Sequence, residues 1–77
     1  MITPRHMAEL DQARREGRSA GYYHELVRVD QSLPGPVWAE RLAAFRACPF
    51  ESYEFVRQWE KSFAAGAARA RAEMRRA

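Results

Sequence analysis

The sequence predicts a small all-α domain of three helices, the first and third packed as a hairpin with an inserted middle helix. Three observations predict it. Apolar residues recur at spacings of three and four along three separate stretches. The one alternating run, Leu26-Val27-Arg28-Val29, is short and has no second run to pair with. Prolines stand at positions 4, 34, 36 and 49, where helices begin or stop. Residues 1–77 are read as a single domain, and a core this small supplies a stability of only about 3–5 kcal/mol without staples.

The first helix is expected over about residues 4–28. Thr3-Pro4 supplies an N-cap and a proline at the first helical position. Met7, Leu10, Arg14, Gly17 and Gly21 then share one face. Two glycines on such a face each cost about 1 kcal/mol of helix propensity relative to Ala. Close approach by a large side chain of another helix is the simplest compensation. Tyr22, Tyr23, Leu26 and Val27 are out of phase with that stripe, so the helix either continues to about Val29 against a different partner or breaks near Gly21.

Residues 30–35 form the linker, ending in Leu33-Pro34-Gly35-Pro36. A second helix over about 36–47 places Trp38, Leu42 and Phe45 on one side. Cys48-Pro49 ends it, because the residue before proline is pushed out of the helical region. The third helix is expected over about 50–75. Phe55, Val56, Trp59, Phe63, Ala67, Ala70 and Met74 share one arc of it, with Tyr53, Arg57, Arg71 and Arg75 on the far side. Gly66 sits in an alanine-rich run where the helix could fray or bend.

Composition narrows the function classes. Cys48 is the single cysteine, which excludes an internal disulfide and the common zinc patterns and fits a reducing cytoplasm. The first six residues hold no apolar segment of signal-peptide type, and no run approaches a membrane span. The net charge of +3 is unevenly placed. Residues 1–60 carry eight arginines against nine acids; residues 61–77 carry five basic residues against Glu73. Lys61 is the only lysine. Arginine binds phosphate through a bidentate fork and stacks on bases. The bland reading of arginine over lysine is a GC-rich genome, which does not explain the gathering at one end.

No catalytic, metal or cofactor site is expected. Neither His6 nor His24 has a spacing that links it to Cys48, and these three residues are too few and scattered for a metal. Gly17-Arg18-Ser19-Ala20-Gly21 follows no strand, so it is not a phosphate loop. The alanine-rich end of the third helix gives little grip on a membrane. RNA binding is the positive expectation. Arg14, Arg15 and Arg18 form one cluster, Arg57, Arg71 and Arg75 line a face, and Tyr53 is a stacking group beside them. The competing reading is a solvated charged face.

Two segments in order resemble the ribosome modulation factor family of bacteria. The first is Gly17-Arg18-Ser19-Ala20-Gly21, similar to that family's Gly-x-x-Ala-Gly motif. The second is Cys48-Pro49-Phe50, followed at the family's spacing by Gln58-Trp59 and Phe63. The likeness covers roughly 30 residues, with about eighteen residues, including the Trp38 helix, inserted between Gly21 and Cys48. It implies a cytoplasmic ribosome-binding protein that contacts ribosomal RNA, down-regulates translation under stress and uses no substrate or cofactor. The other reading is a protein-interaction module, an inhibitor or adaptor docking on a host protein through the inserted helix or the Tyr22/Tyr23 pair. A third, an enzyme using Cys48, would need an exposed, acidic thiol.

Overall fold

The structure, a computed structural model, describes residues 3–76. Three helices follow in chain order: α1 (Pro4–Arg28), α2 (Gly35–Arg46) and α3 (Tyr53–Arg76). α1 begins as its sequence predicts. The Thr3 hydroxyl oxygen accepts the His6 amide at 3.1 Å, and Pro4 occupies the first turn. The helix does not break at Gly21. It runs to Arg28 and ends where Val29 and Asp30 donate back to the carbonyls of Glu25 and Val27. Asp30 then folds the linker by accepting both the amide and the hydroxyl of Ser32, at 2.9 and 2.6 Å.

α2 starts one residue earlier than expected, with the Pro34 carbonyl accepting the Trp38 amide at 2.9 Å. Its half-buried residues are Trp38, Leu42 and Phe45, the predicted side. The Trp38 indole donates to the Val27 carbonyl at 2.8 Å, so α2 is pinned to the end of α1 through one of its last carbonyls. α3 starts later than expected. Cys48 to Glu51 stay outside any helix, and the Ser52 carbonyl accepts the first helical bond from Val56. The helix does not break at Gly66 and runs through it to Arg76.

α1 and α3 form the main packing pair, and α2 packs on α1. The paired residues fix the sense of the α1–α3 contact. His6 meets Glu54 and Phe55, Gly17 meets Trp59, Gly21 meets Phe63, and Glu25 meets Arg71. Both numbers rise together, so α1 and α3 run in the same direction. α2 is the return leg between them, antiparallel to α1, with Trp38 at Val27 and Phe45 at Tyr23.

Glycines make the α1–α3 seam possible. All glycines have ordinary helical or extended φ, so none is there to make a left-handed turn. A Cβ on Gly17 would lie 3.0 Å from the Trp59 Cα, and closer still to its carbonyl oxygen. One on Gly21 would lie 2.6 Å from the Phe63 carbonyl carbon, and one on Gly66 would lie 2.9 Å from the Tyr22 amide nitrogen. The neighbour filling each notch is therefore backbone. The sequence led to a large side chain inserted there; instead the large side chains of Trp59 and Phe63 flank the crossing, 5.1 Å apart ring to ring. Dispersion between two closely spaced backbones replaces side-chain interdigitation.

The rest of the core is thin. Leu10, Ala13, Trp59, Ala67 and Ala70 are its buried apolar members, and among the described residues no large side chain is fully enclosed. The predicted α1 stripe is rotated slightly: Ala13 and His24 are buried, while Met7 is exposed. His6, one position earlier, makes the contact with α3 that Met7 was expected to make. The chain spans 48 × 29 × 14 Å with a radius of gyration of 14.1 Å. A compact chain of this length would measure about 11–12 Å. The molecule is a flat slab with most of its side chains at a surface.

Candidate nucleic-acid interface

The arginines expected to bind phosphate fall into separate groups. Arg71 is committed to an internal role. Glu25, 3% exposed, has one carboxylate oxygen accepting from Arg71 at 3.1 Å. Its other oxygen accepts from Arg28, whose Nε lies at 2.9 Å. The Arg28 hydrogen bond, more than the Arg71 charge, holds the Glu25 carboxyl below its ordinary range, against a burial that would raise it. This clamp joins the end of α1 to α3 and engages two of the chain's guanidiniums with one carboxylate. Arg14 also faces the seam, with Nε donating to the Gln58 amide oxygen at 3.1 Å. That gives Gln58 a structural task of its own.

Tyr53 and Arg57 form a second group at the start of α3. The guanidinium carbon lies 5.7 Å from the ring centroid, and Arg57 donates to the phenol oxygen at 3.4 Å. Lys61 lines the same shallow depression, with Glu54 and Glu60 diluting its charge. Arg75 is exposed in the last turn of α3, where a cation complements the helix dipole.

Arg15 and Arg18 belong to a third group, and it is the most concentrated. Gly66 lies against the backbone of Arg18, so α1 and α3 approach closely here as well. Arg69, one turn further along α3, is thereby brought beside Arg18 despite its distance in sequence. A cleft of about 320 Å³ opens there, lined by Arg15, Arg18, Ser19, Tyr22, Tyr23, Arg69 and Glu73. Arg15 is loosely paired with Asp11 at 3.5 Å, and Arg69 with Glu73 at 3.2 Å. Both pairs are exposed, where such contacts contribute only about 0–1 kcal/mol. Arg18 is exposed and makes no ion pair among the described residues.

Glu73, the one acid in the cleft, is already occupied. Tyr22 donates its hydroxyl to Glu73, which keeps that carboxyl below its usual range and pushes the phenol up. Tyr23 is half exposed at 50%, and its ring is backed by Phe45 of α2 in a stacked arrangement at 6.2 Å. Arg69 and Tyr23 were not in the predicted RNA-binding set. The signal for Arg69 was Gly66: a notch that marks the crossing also marks which α3 residues neighbour Arg18.

The motif residues sit along the seam. Gly17, Gly21, Trp59 and Phe63 form the crossing, and Ala20 lines a groove shared with Trp59, Pro49 and Phe45. The half-buried Cys48 thiol donates to the Phe50 carbonyl at 3.8 Å, inside the non-helical entry to α3. Phe50 packs edge-on against Phe55. His24 is buried against Phe63. Burial, followed by the positive charge of Arg46, lowers its pKa.

Among the described residues no group of three or more His, Cys, Asp or Glu side chains could hold a metal ion. No helix there is long and apolar enough to cross a membrane. Comparison with protein-family models, with curated proteins and with solved structures finds no match for this chain.

Proposed function

We propose that the chain is a ribosome-associated factor of the hibernation type, which binds ribosomal RNA in the cytoplasm and lowers translation under stress. The reading starts from the two ordered motifs, Gly17 to Gly21 and Cys48 to Phe63, that resemble the ribosome modulation factor family. The observation that supports it most is the cleft between α1 and α3, where three exposed guanidiniums converge and the single acid is engaged with a tyrosine. Phosphate contacts by arginine supply affinity for RNA irrespective of sequence, and they weaken as salt rises. Arg15 and Arg18 remain in the proposed interface, Arg69 joins them, and Tyr53, Arg57 and Arg75 are a secondary set. Arg14 and Arg71 serve the α1–α3 contact first.

The test is co-sedimentation with purified ribosomes. The chain is expected in the ribosomal fraction at low salt, with a smaller share at moderate salt, and the variant Arg18→Gln is expected to reduce both. Absence from that fraction at both salt levels overturns the proposal.

A second reading, a module that docks on a host protein, is favoured by one feature. α2 buries none of its residues fully and leaves Val37 exposed. Affinity purification that returns one protein, unchanged by ribonuclease, would move the assignment to that reading.

A further inference from the structure

We infer that the cleft between α1 and α3 is a nucleotide site, with the phosphate held by Arg15, Arg18 and Arg69 and the base laid against Tyr23. The lining of the cleft combines the two chemistries that the two parts of a nucleotide need. Three guanidiniums line it, each a planar fork that matches phosphate oxygens. Tyr23 lines it too, its ring half exposed and stacked against Phe45. A ring already supported on one side loses little freedom when a base stacks on it. The cleft's volume of about 320 Å³ is at the small end for ligand sites and suits a single nucleotide.

Charge supports the same assignment. Three positive groups face one carboxylate, and Glu73 is turned to Tyr22 and Arg69. A phosphate would displace Asp11 from Arg15 and compete for Arg69, both exposed pairs that are cheap to exchange. Arg18 needs no release. The Ser19 hydroxyl lines the cleft as a further donor. This is a side-chain site on a helix surface. It does not need the glycine loop whose absence is evident in the sequence.

An unpaired residue of an RNA strand and a free nucleotide present the same chemistry. If the source is RNA, the inference deepens the ribosomal reading, and it rests on that reading for its biological role. If the source is a free nucleotide, the site stands alone.

The experiment is an equilibrium titration of the full chain by calorimetry and by backbone amide shifts. The probes are inorganic phosphate, adenosine monophosphate, a single-stranded RNA hexamer and a duplex of the same sequence. Adenosine monophosphate is expected to bind more tightly than phosphate, with shifts centred on residues 15–23 and 69–73. Tyr23→Ala should remove roughly five- to a hundred-fold of nucleotide affinity while leaving phosphate binding unchanged. Arg18→Gln should weaken both by about tenfold. Arg18 is exposed, whereas Tyr23 also stacks on Phe45, so Phe45→Ala serves as the control: it loosens α2 equally but leaves the Tyr23 ring in the cleft, and should retain more nucleotide affinity than Tyr23→Ala. A hexamer about tenfold tighter than the mononucleotide, with the duplex weaker, identifies RNA as the source; equal affinities identify the free nucleotide.

The inference is overturned if the mononucleotide binds no better than phosphate, if Tyr23→Ala changes nothing, or if the shifts fall outside the cleft. Ribosome co-sedimentation separates the two claims. Retention on ribosomes by a chain that binds the mononucleotide no better than phosphate would sink the site and leave the ribosomal reading standing. Nucleotide binding without ribosome association would do the reverse.

Discussion

α1 is packed on two sides by two different methods. Against α3 it meets backbone with backbone, and Gly17, Gly21 and Gly66 leave no room for even a methyl group. Against α2 it meets side chains that are only half buried, fastened by one indole hydrogen bond and one aromatic stack. The first contact is intolerant and depends on shape. The second is adjustable and depends on a few anchors. A chain with little apolar bulk can thus still specify one arrangement, provided its smallest residues are in register.

The largest effect is expected where shape decides. Gly21→Ala gains about 1 kcal/mol of helix propensity but drives a methyl group into the Phe63 peptide. The net loss should be about 3 kcal/mol or more, comparable to the whole stability of such a domain. Urea denaturation followed by circular dichroism should then show no cooperative transition. A variant that melts within a few degrees of the parent would show that the seam can open cheaply, and the contrast between the two contacts would collapse.

Trp38→Ala should cost less, about 1–2 kcal/mol, because the ring is half buried and Val27 can return its carbonyl to water. Hydrogen exchange is the sharper measurement. Amides of residues 35–46 should exchange faster, while those around residues 17–21 and 59–66 keep their protection. Uniform loss would mean that α2 is integral to the seam.

Glu25→Gln tests the clamp and should destabilise the fold by about 1–2 kcal/mol. Its pH dependence follows from the sign of the shift. The Glu25 carboxyl titrates lower in the folded chain than its ordinary 4.5, so its contribution is complete above that value and fades as pH falls below it. His24 also titrates below its ordinary 6.5 when folded. It binds a proton more readily when unfolded, so stability falls as pH drops below 6.5, before Glu25 begins to respond. Thermal melts from pH 7.5 to 3.5 should show both stages, and His24→Gln should remove the first.

The smallest effect is expected at Gly35, where an added Cβ meets nothing within 4 Å. Gly35→Ala should be neutral or stabilising by about 0.5 kcal/mol, read from the urea midpoint. Together with Gly21→Ala it isolates position from residue type.

Much of this fold was legible in the sequence, because periodicity reports which face of a helix is covered. Trp38, Leu42 and Phe45 on α2, and the arc from Phe55 to Met74 on α3, are where the spacing placed them. Periodicity carries no information on direction, so the parallel sense of α1 and α3 was not readable. Glycine reports close approach but not what approaches, hence the expectation of a side chain where the structure has a peptide. The binding residues were read less well. Charge counting treats every arginine alike, yet Arg71 is clamped by Glu25 and Arg14 is tied to Gln58. Arg69 gained its neighbours only through the crossing at Gly66.

The same-direction pairing of α1 and α3 gives the intervening segment a mechanical duty. It must carry the chain back along the length of α1 before α3 can begin, so it acts as a leash that holds two otherwise separate helices at an effective concentration in the millimolar range. A protease cut in the leash, at Gln31–Leu33 or Phe50–Glu51, would convert one molecule into two fragments whose association depends on dilution.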